Sequence, residues 1–395
     1  MSADVTQKAE ELARTVLSEA LRDGASDVHI EPGPAGLRVR YRVDGVLQEI
    51  GNFPQTLGAP LVNAFRGLAR LPVSEGGRPQ FGRFVLAEEG RDVAYRLSIL
   101  PVADGERATV RIFDPQGVRL DLDRLAMLPD QREALQRALI APCGLVLVAG
   151  PTGSGKKTFL YACVQHLVSS RINVMTIEDS VGFTIPGASQ TEISPLSGFG
   201  FAEALSGVMR SDPDVVMVEE ARHLEQIEGC VNSALTGHLV LTSVHAADAV
   251  GAVARVLEMG VDPSIFADAL LAIVVTRIVR KLCEACKAPG ELTKDQAAVP
   301  GVAEALAGRQ PLSPVGCDQC RNTGYLGRTG LYEVIEVTED ARRIVASRGE
   351  RHRLEASLAT PKHTSLLAAG VELAAKGVTG LAEVLRVVPH ESPAT

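Results

Sequence analysis

The chain has 395 residues, 46% of them hydrophobic and 22% charged, with a formal net charge of −8. Such a composition fits a globular protein of about two to four domains, and the acidic balance argues against wrapping nucleic acid. No basic and apolar leader opens the chain. Its longest greasy stretch, residues 267–275, is broken by Asp268 and too short to cross a bilayer, so a cytoplasmic location is expected, with the seven cysteines as thiols or metal ligands.

In chain order, residues 4–23 carry Ala9, Leu12, Ala13, Val16, Leu17, Ala20 and Leu21 at helical spacing and end near Gly24. Alternating runs at 27–30, 37–43 and 46–50 read as strands, with Asp44-Gly45 as a hairpin turn. A helix at 57–71 and strands at 91–100 and 108–113 complete an α+β domain over 1–115. Residues 114–117 resemble a hinge, which we place at 116–122. From 123 to 282 the pattern turns to strand–helix–strand, with strands at 144–149, 173–177, 214–219 and 238–243, and so implies a parallel sheet. A Cys-, Gly- and Pro-punctuated module spans 283–322. A helical segment is expected over 323–388 and a frayed tail over 389–395.

The most informative motif is Gly150, Pro151, Thr152, Gly153, Ser154, Gly155 and Lys156, followed by Lys157. It fits the phosphate-binding loop GxxxxGK[ST] at every position but the last. A buried strand precedes it, and Thr158 lies in the first helical turn after it. Backbone N–H groups and the helix N-terminus favour a polyphosphate there, and Lys156 reaches its outer phosphates. The position that should offer Mg²⁺ a hydroxyl holds an ammonium instead. Nucleotide binding is indicated, and hydrolysis needs separate argument.

Other strand ends supply the acids such a loop requires. Residues 212–220 form an apolar strand ending in Glu219 and Glu220, which must point opposite ways because side chains alternate along a strand. Glu178 and Asp179 close a second strand, suited to metal or water. His245 sits at the C-terminal end of a third, where ligands bind in open α/β sheets. Cys283 and Cys286, with Cys317 and Cys320, are two CxxC pairs that complete a tetrahedral S₄ site for structural Zn²⁺. Four free thiols, or a redox pair, is the competing reading. Cys143, Cys163 and Cys230 are expected to be packing residues.

Read in order, these residues resemble the secretion ATPases of type II secretion and type IV pilus assembly. The resemblance runs through Ser26-Asp-Val-His-Ile-Glu-Pro32, Arg42-Val-Asp-Gly45, Arg78-Pro-Gln80, Gly82-Arg83, Arg96-Leu-Ser98 and Gly105-Glu106. It continues through the loop, Thr176-Ile-Glu-Asp179, Asp212-Pro-Asp214, Glu220-Ala-Arg222, 235–240, His245 and 324–330. It implies a PAS-like N-terminal domain, a RecA-like motor domain and a homo-hexamer with ATP between protomers. Glu220 would be the catalytic carboxylate, Glu178 and Asp179 the acidic box, and His245 a γ-phosphate sensor. Arg83 and Arg96 would reach a neighbour's phosphates, a task suited to the planar guanidinium.

The partner implied is an inner-membrane platform protein, which would make the chain peripheral to that membrane. The tetracysteine module is shared with the assembly and export branches and is absent from the retraction branch, so assembly or export is the expected role. The extra N-terminal docking domain of the secretion branch is expected to be missing. A ring member that binds ATP without hydrolysing it is the alternative function, and a DNA-translocating motor a third that the acidic balance disfavours.

Several positions depart from the family pattern. Besides Lys157, Glu219 replaces a Gly, Phe81 an Asp, Ser206 an Arg and His223 an Asp, while Ser180 and Gly182 replace Pro and Glu. Lys157 and Glu219 are opposite charges near one site, and a compensating pair between them that leaves Glu220 for chemistry is one hypothesis. A working but slowed ATPase is the expected outcome.

Overall fold

The computed structural model describes residues 3–114, 121–194, 198–359 and 363–390. Most of the expected hinge, residues 116–120, and the tail beyond His390 lie outside them. The chain divides into two compact units, Met1–Val118 and Arg119–Thr395.

The first unit contains α1 (Ala3–Arg22), β1 (Ala25–Gly33), β2 (Gly36–Val43), β3 (Val46–Phe53), α2 (Gly58–Leu68), β4 (Gln80–Glu88), β5 (Arg91–Val102) and β6 (Gly105–Phe113). The strands form one antiparallel sheet in the order β3-β2-β1-β6-β5-β4. Strand alternation separates two chemistries. Val28, Ile30, Val39, Tyr41, Val93, Tyr95 and Leu97 are buried in one core with Val16, Leu17, Leu61 and Phe65 of the helices. On the opposite face Asp27 pairs with Arg111 at 2.8 Å, and Glu31 with Arg40 at 2.7 Å and Arg107 at 3.0 Å. The motif Asp27-Val-His-Ile-Glu31 thus serves a greasy face and an ionic face at once. Strand β4 had no sequence expectation. It is one of the sheet's two edges, and Phe81 and Val85 stand 68% and 58% exposed on it.

The second unit contains α3 (Pro129–Leu139), β7 (Gly144–Ala149), α4 (Lys156–Leu167), β8 (Val174–Glu178), β9 (Ala188–Glu192), α5 (Phe201–Met209), β10 (Val215–Val218), α6 (Leu224–Leu235), β11 (Leu239–Val244), α7 (Ala249–Met259), α8 (Pro263–Ala269) and β12 (Leu270–Leu282). Then come β13 (Ala288–Pro289), α9 (Lys294–Ala298), α10 (Val302–Ala305), β14 (Leu312–Ser313), β15 (Tyr325–Glu336), α11 (Glu339–Ala346), α12 (Arg351–Leu358), α13 (Leu366–Ala375) and α14 (Leu381–Val387). A seven-stranded sheet runs β15-β12-β7-β11-β10-β8-β9, parallel throughout except that β15 is antiparallel to β12. Helices cover both faces. Leu145 and Leu147 of β7 pack into the core with α5 to α8, while Val146 and Val148 pack into the core with α3 and α4. Burial on both sides is why the strand reads as an unbroken apolar run.

One expectation needs correction. The segment from 323 is helical only from α11 onward and opens on the twelve-residue strand β15. The greasy stretch 267–275 is the end of α8 and the start of β12, whose thirteen residues lie against β7 on one side and β15 on the other. No helix among the described residues is long and apolar enough to cross a membrane.

One buried charge ties α14 to this sheet. Glu383 accepts from Arg280 at 2.8 Å and from Arg386 at 2.7 Å, and from the Arg280 N–H at 3.2 Å. Burial alone would raise its pKa, but the Arg386 and Arg280 donors outweigh it and hold the carboxyl down at about 2, against an ordinary value of 4.5. Its folded-state pKa is depressed, so its stabilisation is present above about 4.5 and disappears as pH falls toward about 2. Acid melting of the wild type should therefore steepen across that window. Glu383→Gln should be less stable at neutral pH and lose less on acidification, a comparison that circular dichroism would make directly.

Candidate functional site

The site grows from the C-terminal ends of β7, β8, β10 and β11, which the parallel register brings side by side. After β7 the chain turns tightly through the phosphate-binding loop. A Cβ on Gly150 would lie 2.2 Å from Ser154 Oγ and 2.9 Å from the Thr276 carbonyl, so only glycine fits against β12 there. Gly155 takes φ 93° as the N-cap of α4, a conformation disfavoured with a side chain. Ser154 Oγ bonds Thr276 Oγ1 at 3.0 Å, which fastens the loop to β12.

Lys156 is buried and folds back on the loop. Its Nζ donates to the Gly150 and Pro151 carbonyls at 2.9 and 3.3 Å and to His245 Nδ1 at 3.1 Å. Burial pushes this ammonium below its usual pKa, while Glu220, 3.7 Å away, opposes the shift.

Glu220 is nine-tenths buried beside it. Its Oε1 lies 2.7 Å from His245 Nε2, yet that oxygen has no aligned hydrogen-bond partner among the described residues. Its Oε2 is held by Arg222 Nε at 2.9 Å, and Arg222 also reaches Asp179 at 2.8 Å. The arrangement is one anchored carboxylate oxygen and one poised oxygen, in reach of a lysine and a histidine. Chemically it is suited to take a proton from a water beside a phosphate.

Strand β10 ends at Val218, short of the expected 220, so Glu219 and Glu220 lie in the turn after it, and their side chains diverge. Glu219 Oε2 is 2.9 Å from Lys157 Nζ and accepts from the Asp179 N–H at 3.1 Å, so the anticipated Lys157–Glu219 pair forms. Glu178 is fully buried. It accepts from the Tyr161 hydroxyl, from Thr176 Oγ1 at 2.7 Å and from Gln190 at 3.0 Å, and lies 3.2 Å from Lys157. Tyr161, Arg222 and the Ser180 carbonyl, which Lys157 Nζ also meets, were not foreseen as working parts. Arg222 stands two residues past Glu220, and that spacing is the signal that could have marked it as the clamp. Tyr161 carries no such signal, because its contact spans two elements.

The residues at 157 do not fit Mg²⁺. There is no hydroxyl, and the ammonium fills the space between the acidic strand ends. Like charges about 4 Å apart repel by roughly 4 kcal/mol per unit at an effective dielectric near 20, and a divalent ion doubles that.

In the first unit Arg83 and Arg96 are direct cross-strand partners on β4 and β5, with Arg96 stacked over Phe113 at 5.5 Å. They share the sheet face opposite the helices.

The four module cysteines converge, each Sγ within 4.8 Å of the others. Individual separations are 3.9 Å for Cys283–Cys317, 3.7 Å for Cys286–Cys320 and 3.8 Å for Cys317–Cys320. Tetrahedral Zn²⁺ with Zn–S near 2.3 Å requires S···S of about 3.8 Å, so the donor set fits that ion. Backbone N–H groups of Gly316, Cys317 and Gly324 point at sulfur. Against the effect of burial, the Cys317 and Gly324 N–H groups hold the Cys320 thiol down at about 6, while burial pushes the neighbouring Cys286 thiol up to about 11. Cys163 and Cys230 lie in the apolar core, where burial pushes both thiols up.

A family model described as "Type II/IV secretion system protein" matches residues 2–386. The type II secretion system protein E of Aeromonas hydrophila is 39% identical over 381 residues, spanning 96% of this chain and 75% of that protein. The type II secretion system ATPase E of Vibrio cholerae is 39% identical over 381 residues, spanning 95% of this chain and 74% of that protein. Among solved structures, the Legionella pneumophila ATPase DotB superposes with a TM-score of 0.68 at 18% identity, over 93% of each chain. The pilus retraction motor PilT, solved with bound ADP, gives 0.65 at 20% identity over 95% of this chain and 96% of that one. At those identities the structural likeness speaks to fold alone, and the fold is the expected P-loop α/β architecture.

Proposed function

The chain belongs to the Type II/IV secretion system protein family, and on that premise we propose that it is a cytoplasmic, hexameric ATPase. It couples ATP binding and hydrolysis to assembly of a type II secretion pseudopilus or a type IV pilus, through an inner-membrane platform protein. The observation that carries this reading is the poised Glu220 oxygen, buried 2.7 Å from His245 and 3.7 Å from Lys156.

The polyphosphate sits on the N–H groups of residues 152–158 at the start of α4. Lys156 exchanges the Gly150 and Pro151 carbonyls for the outer phosphate oxygens. Glu220 accepts the proton of the attacking water, with Arg222 holding its other oxygen in place. His245, already bonded to Lys156, senses the terminal phosphate. Arg83 and Arg96 steady the developing charge on a neighbour's nucleotide. Zn²⁺ on Cys283, Cys286, Cys317 and Cys320 would close the 283–322 module as a structural clamp. Differential nucleotide affinity for two arrangements of the units would drive the motor.

A second reading has a specific observation behind it. With Lys157 in the metal position, turnover is slowed, and in the extreme the chain is a ring member that holds nucleotide without hydrolysing it.

Mixing experiments test the trans arrangement. Arg83→Ala and Glu220→Gln proteins should each release little phosphate alone. Co-assembled, they should regain activity, because some interfaces pair an intact Arg83 with an intact Glu220. If mixtures stay as idle as their components, the arginine does not act across protomers. If the wild type itself releases no phosphate while binding ATP, the non-hydrolysing reading takes its place.

A further inference from the structure

Lys157 follows Lys156 by one residue, yet its ammonium turns away from the phosphate loop. It enters the gap between the ends of β8 and β10. Three acceptors meet it there: Glu219 Oε2 at 2.9 Å, Glu178 Oε2 at 3.2 Å and the Ser180 carbonyl. An ammonium has three protons, so each has a partner and none remains for a phosphate. The Tyr161 ring lies 5.4 Å from the nitrogen.

The acceptors are fixed as firmly as the cation. Glu178 is held by Tyr161, Thr176 and Gln190, and Glu219 by the Asp179 N–H. Releasing Lys157 would leave Glu178, fully buried, without its charge partner, which is costly. The ammonium is therefore not a loose surface lysine that swings out to solvent.

We propose that Lys157 is a resident cation, clamped by Glu178 and Glu219 where the protein would otherwise tether the nucleotide's divalent ion, so that this chain binds nucleoside triphosphate with an affinity nearly independent of Mg²⁺. The proposal rests on the nucleotide-binding reading above. Attraction for the phosphates comes from Lys156, the loop N–H groups and the α4 N-terminus, none of which needs a metal. The link that ordinarily makes affinity depend on the ion, a side-chain hydroxyl at 157, is absent from the sequence. The neighbouring ammonium disfavours a second cation in the same gap.

The test is equilibrium binding of a fluorescent ATP analogue in excess Mg²⁺ and in EDTA, with no turnover required. Wild-type affinity should be nearly the same in both. The double variant Lys157→Thr/Glu219→Gly, which restores a hydroxyl and removes both charges, should gain a Mg²⁺ dependence of about tenfold or more. A wild type that loses affinity in EDTA as steeply as the double variant would overturn the proposal. So would a wild type that already requires the ion when the variant fails to fold, because the wild-type comparison decides alone. Absence of binding in both buffers would instead bring down the nucleotide reading, and this inference with it.

Discussion

Replacing Glu220 with Gln should lower phosphate release by about a hundredfold to ten-thousandfold, the range for losing a positioned proton acceptor, while ATP still binds. The amide keeps the shape of the carboxylate, so Arg222 retains an oxygen to bond. What disappears is the basic oxygen buried 2.7 Å from His245. The substitution also removes a negative charge 3.7 Å from Lys156, which frees that ammonium for phosphate and should leave affinity unchanged or slightly higher. Single-turnover assays separate the two effects, since binding and chemistry are read independently. Unchanged turnover would move the proton acceptor elsewhere, with Asp179 the next acid at these strand ends.

Loss of the cysteine-bound metal is the second large effect expected. Structural Zn²⁺ in small modules contributes about 10–16 kcal/mol of binding free energy, which is folding free energy for whatever the metal organises. Here it organises a loop-rich insert. Cys283 directly follows β12 and donates its N–H to Gly324, just before β15 begins. The metal would therefore join the outer ends of two strands already paired along the sheet. Damage should stay local: residues 283–324 should lose hydrogen-exchange protection after chelation or in Cys283→Ser, while β7 and β11 keep theirs. Elemental analysis should find one zinc per chain. Purified protein without zinc, and with an unaltered exchange pattern after Cys283→Ser, would leave the four sulfurs as free thiols.

What the sequence disclosed follows from how far apart the cooperating residues are. The phosphate loop and both CxxC turns are local, with each residue's role set by neighbours a few positions away. Both keep that local geometry in the structure, a tight turn into α4 and four converging sulfurs. The strand ends at Glu178, Glu220 and His245 were legible because apolar runs mark buried parallel strands and their ends are fixed points. Strand β4 escaped notice because Phe81 and Val85 face outward on a sheet edge, which breaks the usual pattern of apolar residues turned inward. Strands β12 and β15 carry Arg277, Arg280 and Arg328 within their length, so neither resembles a buried strand. The charges are answered by distant partners. Arg280 meets Glu383, and Arg277 meets the Ala247 carbonyl at 2.6 Å. Likewise Arg66, fully buried in the first unit, is balanced by Glu106 at 2.5 Å and Gln80 at 2.6 Å. Pairings of that kind follow from the fold and leave no periodic mark in the chain. The Lys157–Glu219 pair is the exception: two unusual residues of opposite sign, each beside a recognisable motif, were enough to suggest it.

Every step proposed for this chain depends on triphosphate occupying the loop that ends in Lys156. Equilibrium binding of ATP to the wild type and to Lys156→Ala tests this most directly. Saturable binding to the wild type, lost or greatly weakened in the variant, is the predicted result. No saturable binding to the wild type, or equal binding to both proteins, would contradict it.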